Sequence, residues 1–203
     1  PVGNMSDFPT KGAAFVAGGS GGIGQAICAL LAKSGSDVVL SYRSNKDKAD
    51  QAVATIQDAG RKAAAVALDL RQEGAVRQAI DEAAHEFGGL HTVIYAAGPY
   101  IHMRHISRIE PQLFRDTMEQ DAFGFFNMIH AALPHLRQAR GSLVALETPA
   151  LRRYAVKDVL SVAPKAAIEA LVRGVAAEEG RFGIRANGVG VGVIEDGMYH
   201  SLV

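Results

Sequence analysis

The chain of 203 residues has a single cysteine, no excess of either charge and no long apolar run, and each shortage removes a class of protein. One thiol, Cys28, cannot build an internal disulfide framework, and such usage fits a reducing cytoplasm. Cys28 falls beside the apolar stripe of an expected helix and reads as a packing residue. Twenty-one basic side chains balance twenty-one acidic ones, so no bulk field attracts nucleic acid or an anionic membrane surface. No apolar run approaches the roughly 18 residues of a membrane span. There is no HExxH pattern, and the pair His102 and His105 lacks an obvious third ligand, so no metal is expected. Nor does a linker, low-complexity tract or short-period repeat divide the chain. What remains is an ordinary globular composition, 48% hydrophobic and 21% charged, long enough to bury a core. Residues 1–10, with PVGN ahead of Met5, read as a disordered or vector-derived segment, and 11–203 as one domain.

Glycine is the plentiful residue, and its positions punctuate a regular alternation. AAFVAG (13–18) is a short continuous apolar run, as expected of a strand covered on both faces. Ile23, Ala26, Ile27, Leu30 and Leu31 then repeat at helical spacing. The same succession recurs: DVVLSY (37–42), a helical stripe ended by Gly60, AAAVAL (63–68), a stripe stopped at Gly88-Gly89, and HTVIYAAG (91–98). A helical region rich in Phe and Met covers 111–140, GSLVALE (141–147) is a fifth strand, a helix runs from Lys165 to Glu179, and GIRANGVGV (183–191) is a sixth strand. Alternation of this kind predicts an α/β fold, a doubly wound parallel sheet with helices on both faces, of the Rossmann type.

The first strand and first helix are joined by AGGSGGIG (17–24). Glycines here allow a tight turn, close approach of backbone to phosphate, and close packing of the helix start on the strand. The helix N-terminus offers free N–H groups and the positive end of its dipole to a pyrophosphate. A glycine loop in any other place would be a weak signal; after the first strand and opening the first helix, it points to a dinucleotide. Gly18, Ser20, Gly21, Gly22, Ile23 and Gly24 are therefore candidate cofactor-binding residues. The end of the second strand discriminates between cofactors, because an acid there binds a ribose 2′-hydroxyl and a base accommodates a 2′-phosphate. The sequence there is SYRSN, with Tyr42 where the acid would stand and Arg43 and Ser44 following. A guanidinium and a hydroxyl suit phosphate, which favours NADP(H) over a reading of Arg43 as a solvated surface charge.

These residues resemble the short-chain dehydrogenase/reductase family over almost the whole chain. AGGSGGIG matches its TGxxxGxG loop with Ala17 for the threonine, and LDL (68–70) resembles its third-strand end. The resemblance implies that Asp69 and the Leu70 backbone hold the adenine. YAAG (95–98) resembles the NNAG element, keeping Ala97 and Gly98 beside Ala96 but replacing both asparagines. RANGVGVGVIEDGM (185–198) resembles the segment under the nicotinamide and implies a cofactor contact from Ile194. Further helices and a seventh strand, usual in the family, are not found before the chain stops, so the substrate-binding end is expected to be lacking.

Carried over by position, the family's catalytic serine corresponds to Thr148, its relay asparagine to Asp121 and its tyrosine to Ser161, while Lys165 is unchanged. Lys165 also has a family role in holding the nicotinamide ribose. A tyrosine with its pKa near 10 is a usable acid beside an ammonium, whereas an aliphatic hydroxyl is a poor one and shorter by a ring. Loss of general acid catalysis costs roughly 10² to 10⁴ in rate. Asp121 is able to hold a relay water or to pair with Lys165 and cancel its charge. Tyr154, His102 and His105 stand in loops from which a substitute acid could come; the plainer reading is exposed loop side chains. Two readings follow: an NADP(H)-dependent oxidoreductase acting on a carbonyl, alcohol or enone with a non-standard proton donor, and an NADP(H)-binding scaffold or sensor without turnover. The apolar faces of the 111–140 and 165–179 helices imply a homodimer or homotetramer, and the expected ligand is a small-molecule substrate.

Overall fold

The computed structural model describes residues 8–9, 11–192 and 194. The 1–10 segment and the last part of RANGVGVGVIEDGM lie largely outside the described residues. Six parallel strands form one sheet in the order β3-β2-β1-β4-β5-β6: β1 (Ala13–Ala17), β2 (Asp37–Tyr42), β3 (Ala63–Ala67), β4 (Leu90–Tyr95), β5 (Ser142–Glu147) and β6 (Arg185–Gly190). The connecting helices are α1 (Gly22–Lys33), α2 (Lys46–Asp58), α3 (Glu73–Phe87), α4 (Pro111–Met118), α5 (Gly124–Ala139) and α6 (Val159–Glu179).

Every residue of β1 is completely buried, which explains a sequence run with no polar alternation: both faces are covered. Phe15, Val93 and Leu143 face one core layer shared with α3, α5 and α6. Val16, Leu40 and Ile94 face the other, which includes Cys28 of α1. Cys28 is 1% exposed and burial pushes its thiol up to about 12, so it is an inert packing group. Gly88 closes α3 in the left-handed region with φ 76°, where a side chain is disfavoured.

Two boundaries differ from the sequence expectation. The single helix expected over 111–140 is interrupted by a π-helical turn at Glu119–Phe123, between α4 and α5. The last helix begins at Val159 rather than Lys165, with Pro164 inside it. Proline is disfavoured inside a helix because it lacks an N–H to donate, so Pro164 marked the helix start late by more than a turn.

The strand order reverses direction between β1 and β4. Crossovers lead outward from β1 on one side and from β4 on the other, so the chain parts at the carboxyl ends of these two strands and leaves a crevice. The parting is held by Ala96 N donating to Ala17 O at 2.9 Å and Gly19 N donating to Ser41 O at 3.0 Å.

Candidate functional site

The crevice is a cleft of about 280 Å³ over the ends of β1, β2, β3 and β4. Of the residues expected to hold a cofactor, Gly18, Ser20, Gly21, Tyr42, Arg43, Ser44, Asp69, Leu70, Ala96, Ala97 and Gly98 line it. Gly22, Ile23 and Gly24 form the first turn of α1 behind it, and Ile194 is exposed near the end of the described residues.

The cleft's shape depends on missing β-carbons. Gly18 has φ 76°, and a Cβ there would lie 2.8 Å from Ala96 O and from Ala97 N and Cα. A Cβ on Gly24 would be driven into the Gly18 carbonyl, so α1 packs on the loop only with glycine there. Gly21 is the N-cap of α1, makes no side-chain cap, and is followed by no acidic residue in the first turn. The N–H groups of Gly22, Ile23 and Gly24 thus lack intrahelical acceptors, and nothing on the first turn neutralises the positive dipole end. This is a cradle for an anion such as a pyrophosphate.

Polar groups converge at the outer end of the cleft. Arg43 Nη1 donates to Gln120 Oε1 at 2.9 Å, joining the end of β2 to the π-helical turn. Arg71 grips Asp69, with Nη2 2.6 Å from Oδ2 and Nε 3.0 Å from each carboxylate oxygen. This pairing holds the Asp69 carboxyl below its usual range, with the charge of Arg43 a smaller contribution. Two guanidinium groups therefore act on one carboxylate beside the cleft. Gly124, whose Cβ would lie 2.9 Å from Leu70 Cβ, and Asn127, whose Nδ2 donates to Leu70 O at 2.9 Å, press the start of α5 onto the end of β3.

At the inner end, Lys165 Nζ lies 3.0 Å from Asp121 Oδ1 and 3.5 Å from Ala97 O. Asp121 is 1% exposed, in the π-helical turn, a local deviation common at functional sites. Tyr95, fully buried at the end of β4, donates its hydroxyl to Asp121 Oδ1 at 2.9 Å and to Asp121 O at 3.0 Å. The Lys165 ammonium also sits 5.0 Å from the centre of the Tyr95 ring. Burial first, and then the Asp121 charge, hold the Tyr95 phenol well above its ordinary pKa. Tyr95 is consequently a fixed donor to Asp121.

Thr148 Oγ1 accepts from Ala150 N at 3.2 Å, capping the short turn Pro149–Leu151 and leaving its own hydrogen free to donate. Ser161 is half-buried in the first turn of α6, one helical turn before Lys165 on the same face, and its side chain has no hydrogen bond among the described residues. Tyr154 is 51% exposed, His102 stacks edge-on against Tyr100 with ring centres 5.0 Å apart, and His105 opens the turn Ile106–Arg108. None of these three hydrogen-bonds to Lys165, Thr148 or Ser161 among the described residues.

Sequence reasoning missed Gln120, Arg71 and the role of Tyr95, which registered only as a replaced asparagine. Arg71 stands two residues after Asp69 and Gln120 one before Asp121, so proximity to singled-out residues was the available signal.

A doubly wound sheet with a glycine cradle at its switch point, and a lysine on the helix after β5, defines a dinucleotide-binding domain of the dehydrogenase kind. More narrowly, the chain belongs to the short-chain dehydrogenase family, whose model matches residues 12–203. It is 28% identical to rabbit (Oryctolagus cuniculus) L-fucose dehydrogenase over 92% of this chain, and it spans 64% of that protein's length. It is 30% identical to 3-oxoacyl-(acyl-carrier-protein) reductase FabG of Staphylococcus aureus, over 93% of this chain and 77% of that one. Among solved structures, a dehydrogenase/reductase of Sinorhizobium meliloti 1021 superposes with a TM-score of 0.90 at 31% identity, covering 96% of this chain and 77% of that one. The NAD⁺-bound xylitol dehydrogenase structure, at 22% identity and a TM-score of 0.89, covers 94% and 74% and shares the fold.

Proposed function

We propose that this chain binds NADP(H) in the cleft and serves an oxidoreductase that interconverts a carbonyl and an alcohol, or reduces an enone, with a weakened proton path. The observation that carries the cofactor choice is the end of β2: Arg43 and Ser44 line the cleft where an acid would otherwise meet a ribose 2′-hydroxyl. The anion cradle at α1 and the close approach at Gly18 fit a pyrophosphate, and Lys165, at the inner end, holds the ribose hydroxyls. When bound, the nicotinamide supplies or accepts the hydride that changes the oxidation state of the substrate carbon. Thr148 orients the substrate oxygen by donating its free hydrogen. Ser161 stands one turn before Lys165 with a hydroxyl too basic and too short to act as the tyrosine would.

A second reading, a cofactor-binding scaffold without turnover, is favoured by the ion pair between Lys165 and Asp121. The ammonium that would lower the pKa of a neighbouring acid is held at 3.0 Å by a buried carboxylate, so the local charge is close to neutral.

The exposed face between α5 and α6, with Phe123 and Phe126 at 60% and 47% exposure, is assigned to self-association as a homodimer or homotetramer in the cytoplasm. The test of the functional reading is paired. Titration of the full chain with NADPH and NADH, followed by cofactor fluorescence, should show tighter binding of NADPH. NADPH oxidation is then followed against ketones, quinones and enones. Binding with no turnover selects the scaffold, and absence of binding rejects both readings.

A further inference from the structure

Two loops rise from the carboxyl ends of the strands beside Lys165: residues 99–110 after β4 and 148–158 after β5. They carry Arg104, Arg108, Arg152, Arg153 and Lys157 against only Glu110 and Asp158, in a chain whose total charge is balanced. Arg104 N donates to Lys157 O at 3.0 Å, so the loops are bound to one another. Between them lies a cleft of about 430 Å³ lined by Met103, Arg104, His105, Arg108 and Lys157.

Among the described residues, no carboxylate lines this cleft. Among the described residues, Arg104, His105, Arg108 and Lys157 form no ion pair. Some guanidinium groups elsewhere are matched, Arg71 with Asp69, Arg137 with Glu179, and Arg152 and Arg173 with Glu169, whereas here three cations share one hollow without a partner among the described residues. Three permanent cations around one hollow repel one another, and an anion placed between them relieves that repulsion. Lys157 has φ 72°, a left-handed conformation uncommon outside glycine, so the backbone here is held against its preference.

The cleft also lies on the two segments that lead to Lys165. Lys157 precedes Ser161 by four residues, and Ser161 precedes Lys165 by four, on the segment that opens α6. The other loop leaves β4 past Gly98, where a Cβ would lie 4.0 Å from Lys165 Nζ. Both walls therefore spring from segments that adjoin Lys165.

We propose that this cleft is a substrate subsite for an anionic group, a carboxylate or a phosphate ester, and that the substrate is a small negatively charged carbonyl compound. The proposal rests on the oxidoreductase reading. Forked guanidinium groups match the geometry of either anion, and Lys157 adds a point charge.

Calorimetric titration of the full chain with NADP⁺ present, at low ionic strength, tests it with four probes. Acetoacetate and dihydroxyacetone phosphate are anionic, and methyl acetoacetate and dihydroxyacetone are their neutral counterparts. At least one anionic probe should bind about tenfold or more tightly than its neutral counterpart. That preference should disappear in the double variant Arg104→Gln/Arg108→Gln, with NADPH titration of the variant reporting that it is folded. A preference confined to acetoacetate assigns a carboxylate, and one confined to dihydroxyacetone phosphate assigns a phosphate. Equal binding of charged and neutral probes, no binding of any probe, or a preference that survives the double variant overturns the subsite. Failure of the wild-type chain to bind NADPH is a different result: it removes the oxidoreductase reading, whereas the probe titrations still decide whether the cleft binds anions.

Discussion

The two halves of the sheet have fared differently. Over β1, β2 and β3 the cleft has its glycines, its uncapped helix end and Arg43 at the end of β2. Over β4 and β5, Asp121 is tied to both Lys165 and Tyr95, and Thr148 and Ser161 are the hydroxyls that the proposed reading places beside the substrate. The electrostatics divide the same way. Arg71 holds Asp69 below its usual carboxylate range at one end. At the other, burial raises Glu147 and Asp158, and Asp121 is committed to Lys165. Binding of a dinucleotide draws on backbone N–H groups and missing β-carbons, which are shared among many residues. Proton transfer draws on the reach and acidity of a single side chain, so one substitution suffices to disable it.

Restoring the weaker half should have the largest effect. The double variant Ser161→Tyr/Asp121→Asn is expected to raise the steady-state rate of NADPH-dependent ketone reduction by about 10² to 10⁴. Ser161→Tyr alone should gain less, because Asp121 still neutralises the ammonium meant to acidify the new phenol. A double variant no faster than wild type would show that the active site is lost for reasons beyond these two residues.

Damaging the intact half comes next. Gly18→Ala forces a Cβ to within 2.8 Å of the Ala96 carbonyl at a φ of 76°. NADPH affinity, read by cofactor fluorescence, should fall about 100-fold. A smaller loss, about tenfold for NADPH with NADH unaffected, is expected for Arg43→Gln. Equal losses for both cofactors would assign Arg43 to packing against Gln120 rather than to a 2′-phosphate.

The mildest contrast concerns pH. The Glu147 carboxyl is raised from its ordinary value first by burial and then by the Glu169 charge, and its Oε1 has no hydrogen-bond partner. A raised folded-state pKa means that the favourable contribution is complete below the ordinary value of 4.5 and is lost as pH rises through the folded-state value. Glu147→Gln should therefore raise the melting temperature by about 2 °C at about pH 7, with the difference shrinking toward about pH 4. A difference that grows on acidification would contradict this assignment.

Much of this was legible along the chain. The continuous apolar run of β1, the glycine loop before α1, Arg43 after β2, and Ser161 one turn before Lys165 are local patterns, because strand burial, tight turns and helical spacing are decided within a few residues. The π-helical turn was not, since Glu119–Phe123 reads as helix by spacing and its extra residue has no compositional mark. Nor was the start of α6 at Val159, where Pro164 misled.

What the sequence determined by itself, then, is the order and type of the elements and the places where backbone must approach a ligand closely. The tertiary structure alone decided the charge partners. Arg43 meets Gln120 across 77 residues, Lys165 meets Asp121 across 44, and Tyr95 meets Asp121 across 26. Asp121 pairs with the lysine, a contact that its position in the sequence left open. Such pairings depend on which strand ends the crossovers bring together and on which polar groups burial leaves without water, so nothing in local periodicity records them.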